Sequence, residues 1–256
     1  MKIVYLVPGL MPQDEASRRV GLMRQWAAPG TQIDIMVVKE GPASIESTYE
    51  ELMAVPATAR MAIEAEDAGY DAAIIGCAGD PGMDAIRELT TKMLVVGPGA
   101  TSFHAACMLG HRFGVLETDD GMLQSCVEMA FRAGVRDKLA AVESIDVPVL
   151  DMMAGLDVEG HRKKIVEVCR GMMRKDRVDV IVMGCMSMAF MDISEQIEAE
   201  IGIPVVNPAK TAVKFTEALL ACGLMHSKAA FPLPVKVKTG KVASVLELMD
   251  NMRGGK

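Results

Sequence analysis

The chain has 256 residues, half of them hydrophobic and 24% charged, with a net charge of −7, the balance of a soluble globular protein large enough for two small lobes. No basic run exceeds Arg162-Lys163-Lys164 and only ten residues are aromatic, so neither the charged stripe nor the stacking platform of a nucleic-acid binder is present. The longest apolar run, Val180 to Met191, falls short of the roughly 20 residues that span a bilayer, and no membrane partner is expected.

In chain order, short β-branched runs alternate with longer amphipathic stretches, the pattern of βα units on a parallel sheet. The first half offers strands at Ile3 to Val7, Gln32 to Val38, Ala72 to Ile75 and Met93 to Val96. Helices are expected over Ser17 to Trp26, Ser47 to Ala68 and Pro81 to Thr91. In the second half strands are expected at Arg112 to Leu116, Glu143 to Val149, Val180 to Met183 and Pro204 to Val206, with helices over Gly121 to Ala133, Glu159 to Lys175 and Met191 to Ile201. A last helix, Ala209 to Cys222, and the Pro-rich segment Phe231 to Pro234 follow.

The halves look like one unit built twice. Asp71-Ala-Ala-Ile-Ile-Gly-Cys77 and Asp179-Val-Ile-Val-Met-Gly-Cys185 place an aspartate before, and a Gly-Cys after, the same strand. Leu94-Val-Val-Gly-Pro98 and Pro204-Val-Val-Asn-Pro208 close the two units alike. The expected fold is therefore α/β, with two pseudo-symmetric Rossmann-like lobes, each a mainly parallel four-stranded sheet flanked by helices. Residues 1–100 plus 208–256 would form the first lobe and 101–207 the second. Five loops after strand ends, Pro8-Gly9, Gly41 to Ser47, Cys77 to Gly82, Glu117 to Gly121 and Cys185 to Met188, would converge on one cleft, where open α/β sheets bind ligands.

Residues 2–9 read as a strand and turn rather than a signal peptide. Six cysteines with no Cys-x-x-Cys then indicate reduced thiols and a cytoplasmic location. His104, His111, His161 and His226 show no metal-ligand spacing, and Gly97-Pro-Gly99 lacks the third glycine of a dinucleotide fingerprint. No metal or cofactor is expected. Met is abundant, at 22 residues, as a flexible core filler.

Cys107, Cys126, Cys169 and Cys222 fall in helical stretches and read as core. Cys77 and Cys185, by their shared position, read as a functional pair. A thiol at a strand end before a helix meets unpaired amides and the helix dipole, and a modest fall from its ordinary value of about 8.5 makes thiolate available at neutral pH. A thiolate on one face removes a proton from carbon, and a thiol on the other face returns one. Asp80 is expected to cap the helix that begins near Pro81. His104 reads as a packing or capping residue, and His226 as part of a tail near the cleft.

Gly41-Pro-Ala-Ser-Ile-Glu-Ser47, Gly76-Cys-Ala-Gly-Asp-Pro-Gly82 and Gly184-Cys-Met-Ser-Met188, in that order, resemble the hydantoin racemase branch of the aspartate/glutamate racemase superfamily, which includes allantoin racemases. The resemblance implies cofactor-independent 1,1-proton transfer on a cyclic ureide, with Cys77 and Cys185 as the two catalytic bases. It places Pro8, Ser44, Ile45, Ala78, Gly79, Thr118, Met186 and Ser187 at the substrate, the amides after each cysteine holding ring carbonyls. Amino-acid racemases of the superfamily carry Asn, Ser or Thr after the cysteines to grip a carboxylate; Ala78-Gly79 and Met186-Ser187 fit a neutral ring instead. The chain departs from the branch in the first loop, Val7 to Pro12, at Ala100, where relatives carry Glu, and at the bulky Met186. The resemblance also implies a homo-oligomer with a small-molecule substrate as its only other partner. Two other readings keep the fold: a single-thiol decarboxylase or isomerase, and a non-catalytic bilobal binding protein.

Overall fold

The computed structural model describes residues 1–251. The first half runs β1 (Lys2–Val7), α1 (Gln13–Trp26), β2 (Gln32–Val37), α2 (Thr48–Asp67), β3 (Ala72–Ile75), α3 (Met83–Leu89), β4 (Leu94–Val96) and α4 (Pro98–Leu109). The second runs β5 (Phe113–Glu117), α5 (Leu123–Arg132), β6 (Leu139–Ser144), α6 (Val149–Met153), α7 (Val158–Asp176), β7 (Val180–Met183), α8 (Met186–Ala189), α9 (Ser194–Ile201), β8 (Val205–Val206) and α10 (Pro208–Ala221). Two short helices, α11 (Val235–Lys238) and α12 (Val245–Asn251), end the described chain.

Two four-stranded parallel sheets result, ordered β2-β1-β3-β4 and β6-β5-β7-β8. Their strands are apolar on both faces because helices cover both. Alternation sorts the side chains: Ile3, Tyr5 and Val7 pack with Val20 and Met23 of α1 and Ala209 and Val213 of α10, whereas Val4 and Leu6 meet Ala59 and Ala62 of α2 and Ile86 of α3. In the second sheet Leu116 and Met183 face Ile165 of α7 and Ile197 of α9, while Phe113 and Val115 face Phe103 of α4 and Met129 of α5. Each buried Val, Leu, Ile, Met or Phe among them contributes about 1.5–3 kcal/mol.

The two halves exchange a helix. α4 leaves the first sheet and packs on the second; α10 leaves the second and packs on the first, and the two helices meet each other. Asp71 and Asp179 hold the far ends of the central strands. The Lys2 amide donates to Asp71 at 2.7 Å, and the amides of His111 and Arg112 donate to Asp179 at 3.0 and 2.9 Å. The repeated aspartate is thus a strand clip at the end opposite the cysteine.

Two expected elements differ, and α4 is a helix outside those expected. The strand expected over Glu143 to Val149 lies at Leu139–Ser144, and α6 begins at Val149 behind Pro148. Ile145 and Val147 are buried, so their apolar alternation is real, but it belongs to an extended segment leaving the sheet. The stretch Met191 to Ile201 is helical only from Ser194; before it the chain turns at Asp192, whose φ is 57°. Gly97-Pro98-Gly99 opens α4, since Pro is favoured at a first helical position.

Candidate active site

The Gly-Cys turns are superposable in their bonding. The Gly76 amide donates to the Leu6 carbonyl and the Gly184 amide to the Leu116 carbonyl, both at 2.7 Å. A Cβ on Gly76 would lie 2.7 Å from that carbonyl and one on Gly184 2.6 Å. Only glycine lets the chain pass this close, and the next residue, cysteine, is thereby thrown over the sheet end. Both cysteines are half-buried and free.

Between the lobes lies a small cavity of about 80 Å³ that both thiols line. All five loops expected to converge contribute to it. From the first half come Pro8, Ser44, Ile45, Cys77, Ala78 and Gly79; from the second come Thr118, Cys185, Met186 and Ser187. The Ser44 hydroxyl donates to Glu46, and Glu46 Oε1 accepts from the Val149 amide at 2.9 Å, clipping the first-lobe loop to α6 of the second. The rest of the wall is largely apolar, with Met122, Met129, Val149 and Met153 on one side and Leu10 and Met11 on the other.

Neither thiol is depressed, contrary to the expectation from strand-end amides. Burial pushes Cys77 far above its ordinary value, with Glu51, Cys185 and Asp80 adding to the rise against one amide bond from Gly79. Burial likewise pushes Cys185 up to about 11, Glu117 adding to it, while the amides of Met188 and Ser187 and the charge of Arg19 oppose. α8, only four residues long, has little dipole to offset desolvation. The amides of Gly79, Ser187 and Met188 lower the thiols against that burial without overcoming it. The Ser187 hydroxyl accepts from Arg19 at 2.9 Å, which leaves its own proton to donate.

Asp80 caps a helix, but not α3. Its carboxylate accepts from the amides of Gly99 and Ala100 at 2.9 and 2.8 Å, at the start of α4; burial raises it to about 6 despite those bonds. His104 is exposed on α4. The tail around His226 lies at the far end of α3, where Lys228 donates to the Arg87 carbonyl and Phe231 packs under Arg87, so it does not approach the cavity. Cys169 is core, but Cys222 is exposed, and Cys126 lies on the cavity wall.

Sequence reasoning gave Cys126 and Arg19 no place at the site, and Glu117 only as the start of a converging loop with no role; all three line the cavity. Glu117 had a signal. Leu6 and Leu116 are equivalent, since they pair with Ile75 and Met183; Glu117 therefore stands where the first lobe has Val7, a carboxyl ending an apolar strand. Arg19 gave none, because an Arg four residues after Glu15 reads as a surface pair on a polar helix. Among the described residues no cluster of His, Cys, Asp and Glu could hold a metal ion, and no helix is long and apolar enough to cross a membrane.

Residues 20–216 match the family model for Asp/Glu/hydantoin racemases. A hydantoin racemase of Pseudomonas sp. (strain NS671) is 32% identical over 202 residues, 79% of each chain. One from Paenarthrobacter aurescens is 31% identical over 211 residues, 80% of this chain and 86% of that one. Among solved structures, an allantoin racemase from Klebsiella pneumoniae superposes with a TM-score of 0.84 at 29% identity, covering 91% of this chain and 94% of its own.

Proposed function

We propose a two-thiol mechanism for this chain, which belongs to the Asp/Glu/hydantoin racemase family and is an isomerase of the racemase type. Its substrates are five-membered cyclic ureides, and Cys77 and Cys185 are the acid and base. The observation that carries this reading is the pair of equivalent Gly-Cys turns lining one cavity from opposite lobes. One cysteine, as thiolate, takes the proton from ring carbon 5. The electron pair moves into the neighbouring carbonyl as an enolate, to which Ser187 donates. The opposite thiol returns a proton to the other face, which inverts the centre and leaves the thiols with exchanged protonation. The reverse enantiomer is handled by the reverse assignment.

The methionine and valine side chains on the wall give an apolar 5-substituent a surface to pack against, which favours such a hydantoin over allantoin. Racemisation of single enantiomers of 5-benzylhydantoin and allantoin, with wild-type protein and with Cys77→Ser and Cys185→Ser, tests this. The reading requires turnover of the benzyl compound and loss of racemisation in both variants; racemisation surviving in either would refute the two-thiol mechanism.

A further inference from the structure

Arg19 is only 2% exposed, and a guanidinium so dry needs counter-charge and acceptors. Glu15 accepts from its Nε at 2.6 Å, but the same carboxylate takes two bonds from the exposed Arg18. Two guanidinium groups sharing one carboxylate leave a net positive charge. Arg19 Nη2 donates across the lobe boundary to Ser187 Oγ at 2.9 Å, two residues past Cys185. The charge of Arg19 also acts on the nearby Tyr5 hydroxyl, and that hydroxyl donates to the Gly76 carbonyl at 3.4 Å, one residue before Cys77. The guanidinium lies over the Phe190 ring at 4.8 Å and lines the cavity.

We propose that Arg19 is the positioning residue of the thiol pair: from α1 it anchors the Cys185 turn through Ser187 across the lobe boundary, and its charge makes Cys185 the thiol that ionises first. The proposal rests on the two-thiol reading above. Among the described residues no cationic side chain plays the matching part for Cys77. That thiol faces the carboxyls of Glu51 from α2 and Asp80 from its own turn, together with Cys185 and the Gly79 amide. Cys185 faces Arg19 from α1, Glu117 from the end of β5 and the amides of Ser187 and Met188, with Tyr5 of β1 beneath both thiols. Glu117 opposes Arg19 only once ionised, and burial keeps its proton on up to about pH 8. At neutral pH the charges therefore divide, cation beside Cys185 and carboxyls beside Cys77.

The test is the rate of iodoacetamide alkylation at each cysteine between about pH 6 and 8, resolved by peptide mass spectrometry. Alkylation reads the thiolate and needs no substrate, so it answers even if the choice of ureide substrate is wrong. Wild-type protein should alkylate Cys185 before Cys77. Arg19→Met should slow Cys185 about ten-fold, the effect of one neighbouring opposite charge, with Cys77 changed far less. Arg19→Lys should restore the Cys185 rate through its charge while kcat stays low, since a single ammonium cannot reproduce the fork that holds Ser187 and Glu15 together. If circular dichroism shows Arg19→Met unfolded, Ser187→Ala decides instead, and should shrink the preference for Cys185 by about three-fold. Faster reaction at Cys77 in the wild type, or an unchanged preference in the folded variant, would overturn the proposal.

Discussion

Cys126 donates its thiol hydrogen to Glu117 Oε1 at 2.7 Å on the second-lobe wall of the cavity. Burial raises the carboxyl to about 8, against the lowering effect of the Cys126 bond and the neighbouring Thr118 amide. Glu117 is therefore a neutral acid at pH 7, packed against Gly184 beside Cys185.

Glu117→Gln fixes that neutral state. In the folded protein the carboxyl holds its proton far above the ordinary 4.5, so on raising pH the unfolded chain loses this proton first. The associated stability is complete below about 4.5, declines through the window up to about 8 and is lost above it. The loss is on the order of a few kcal/mol. Thermal unfolding between pH 5 and pH 9, both approximate, should show Tm of the wild type falling relative to Glu117→Gln; parallel curves would show that Glu117 titrates as an ordinary carboxylate.

Activity should follow the thiols. Since burial holds the protons on Cys77 and Cys185, kcat/KM for racemisation should still be rising from about pH 7 to about pH 9 rather than levelling below neutrality. Glu117→Gln should steepen that rise above about pH 8, where the wild type places a carboxylate beside Cys185. A plateau beginning near pH 6 would mean that a thiolate is already formed in the free enzyme.

Cys77→Ser and Cys185→Ser should each lower kcat for racemisation at least about 100-fold, the usual scale of a lost acid or base, without much change in Tm. Because either thiol alone still faces one enantiomer, each variant should retain slow solvent exchange with one hand of the substrate only. Equal residual exchange with both hands would indicate a single base that serves both faces.

The start of α4 offers a stability test built on the pseudo-symmetry. In the second lobe Asn207 caps α10 itself, accepting from Ala209 and Lys210 at 3.0 and 3.1 Å. In the first lobe the equivalent residue is Gly97, and the Asp80 carboxylate occupies the space a Cβ there would fill. Asp80→Ala should cost about 1 kcal/mol or somewhat more, and adding Gly97→Asn should recover much of it. No recovery in the double variant would show that Asp80 does more than cap the helix.

What the sequence discloses of this fold is what is local or repeated. Ile3 to Val7 and Val180 to Met183 are recognisable as buried strands from composition alone, and the recurrence of Gly-Cys after an aspartate-headed strand marks the two thiols. The lobe boundaries assign residues 101–109 to the second lobe and 208–221 to the first, but the contact between α4 and α10 and the strands that Phe103 and Ala209 cover are not legible, because they depend on the far lobe. Asp80 illustrates the same limit: its aspartate-proline context indicates a cap on the next helix, yet its partners lie 19 and 20 residues away. Burial also reverses the thiol expectation, since amides and a short helix cannot offset the loss of water around Cys77 and Cys185.

The most direct test of the central claim is proton NMR in deuterium oxide on a single enantiomer of 5-benzylhydantoin with the reduced protein, optical rotation being followed in parallel. The account predicts that the carbon-bound proton is replaced by deuterium as rotation decays to zero. Intact signal and rotation, from a protein shown to be folded and with free thiols, would contradict it.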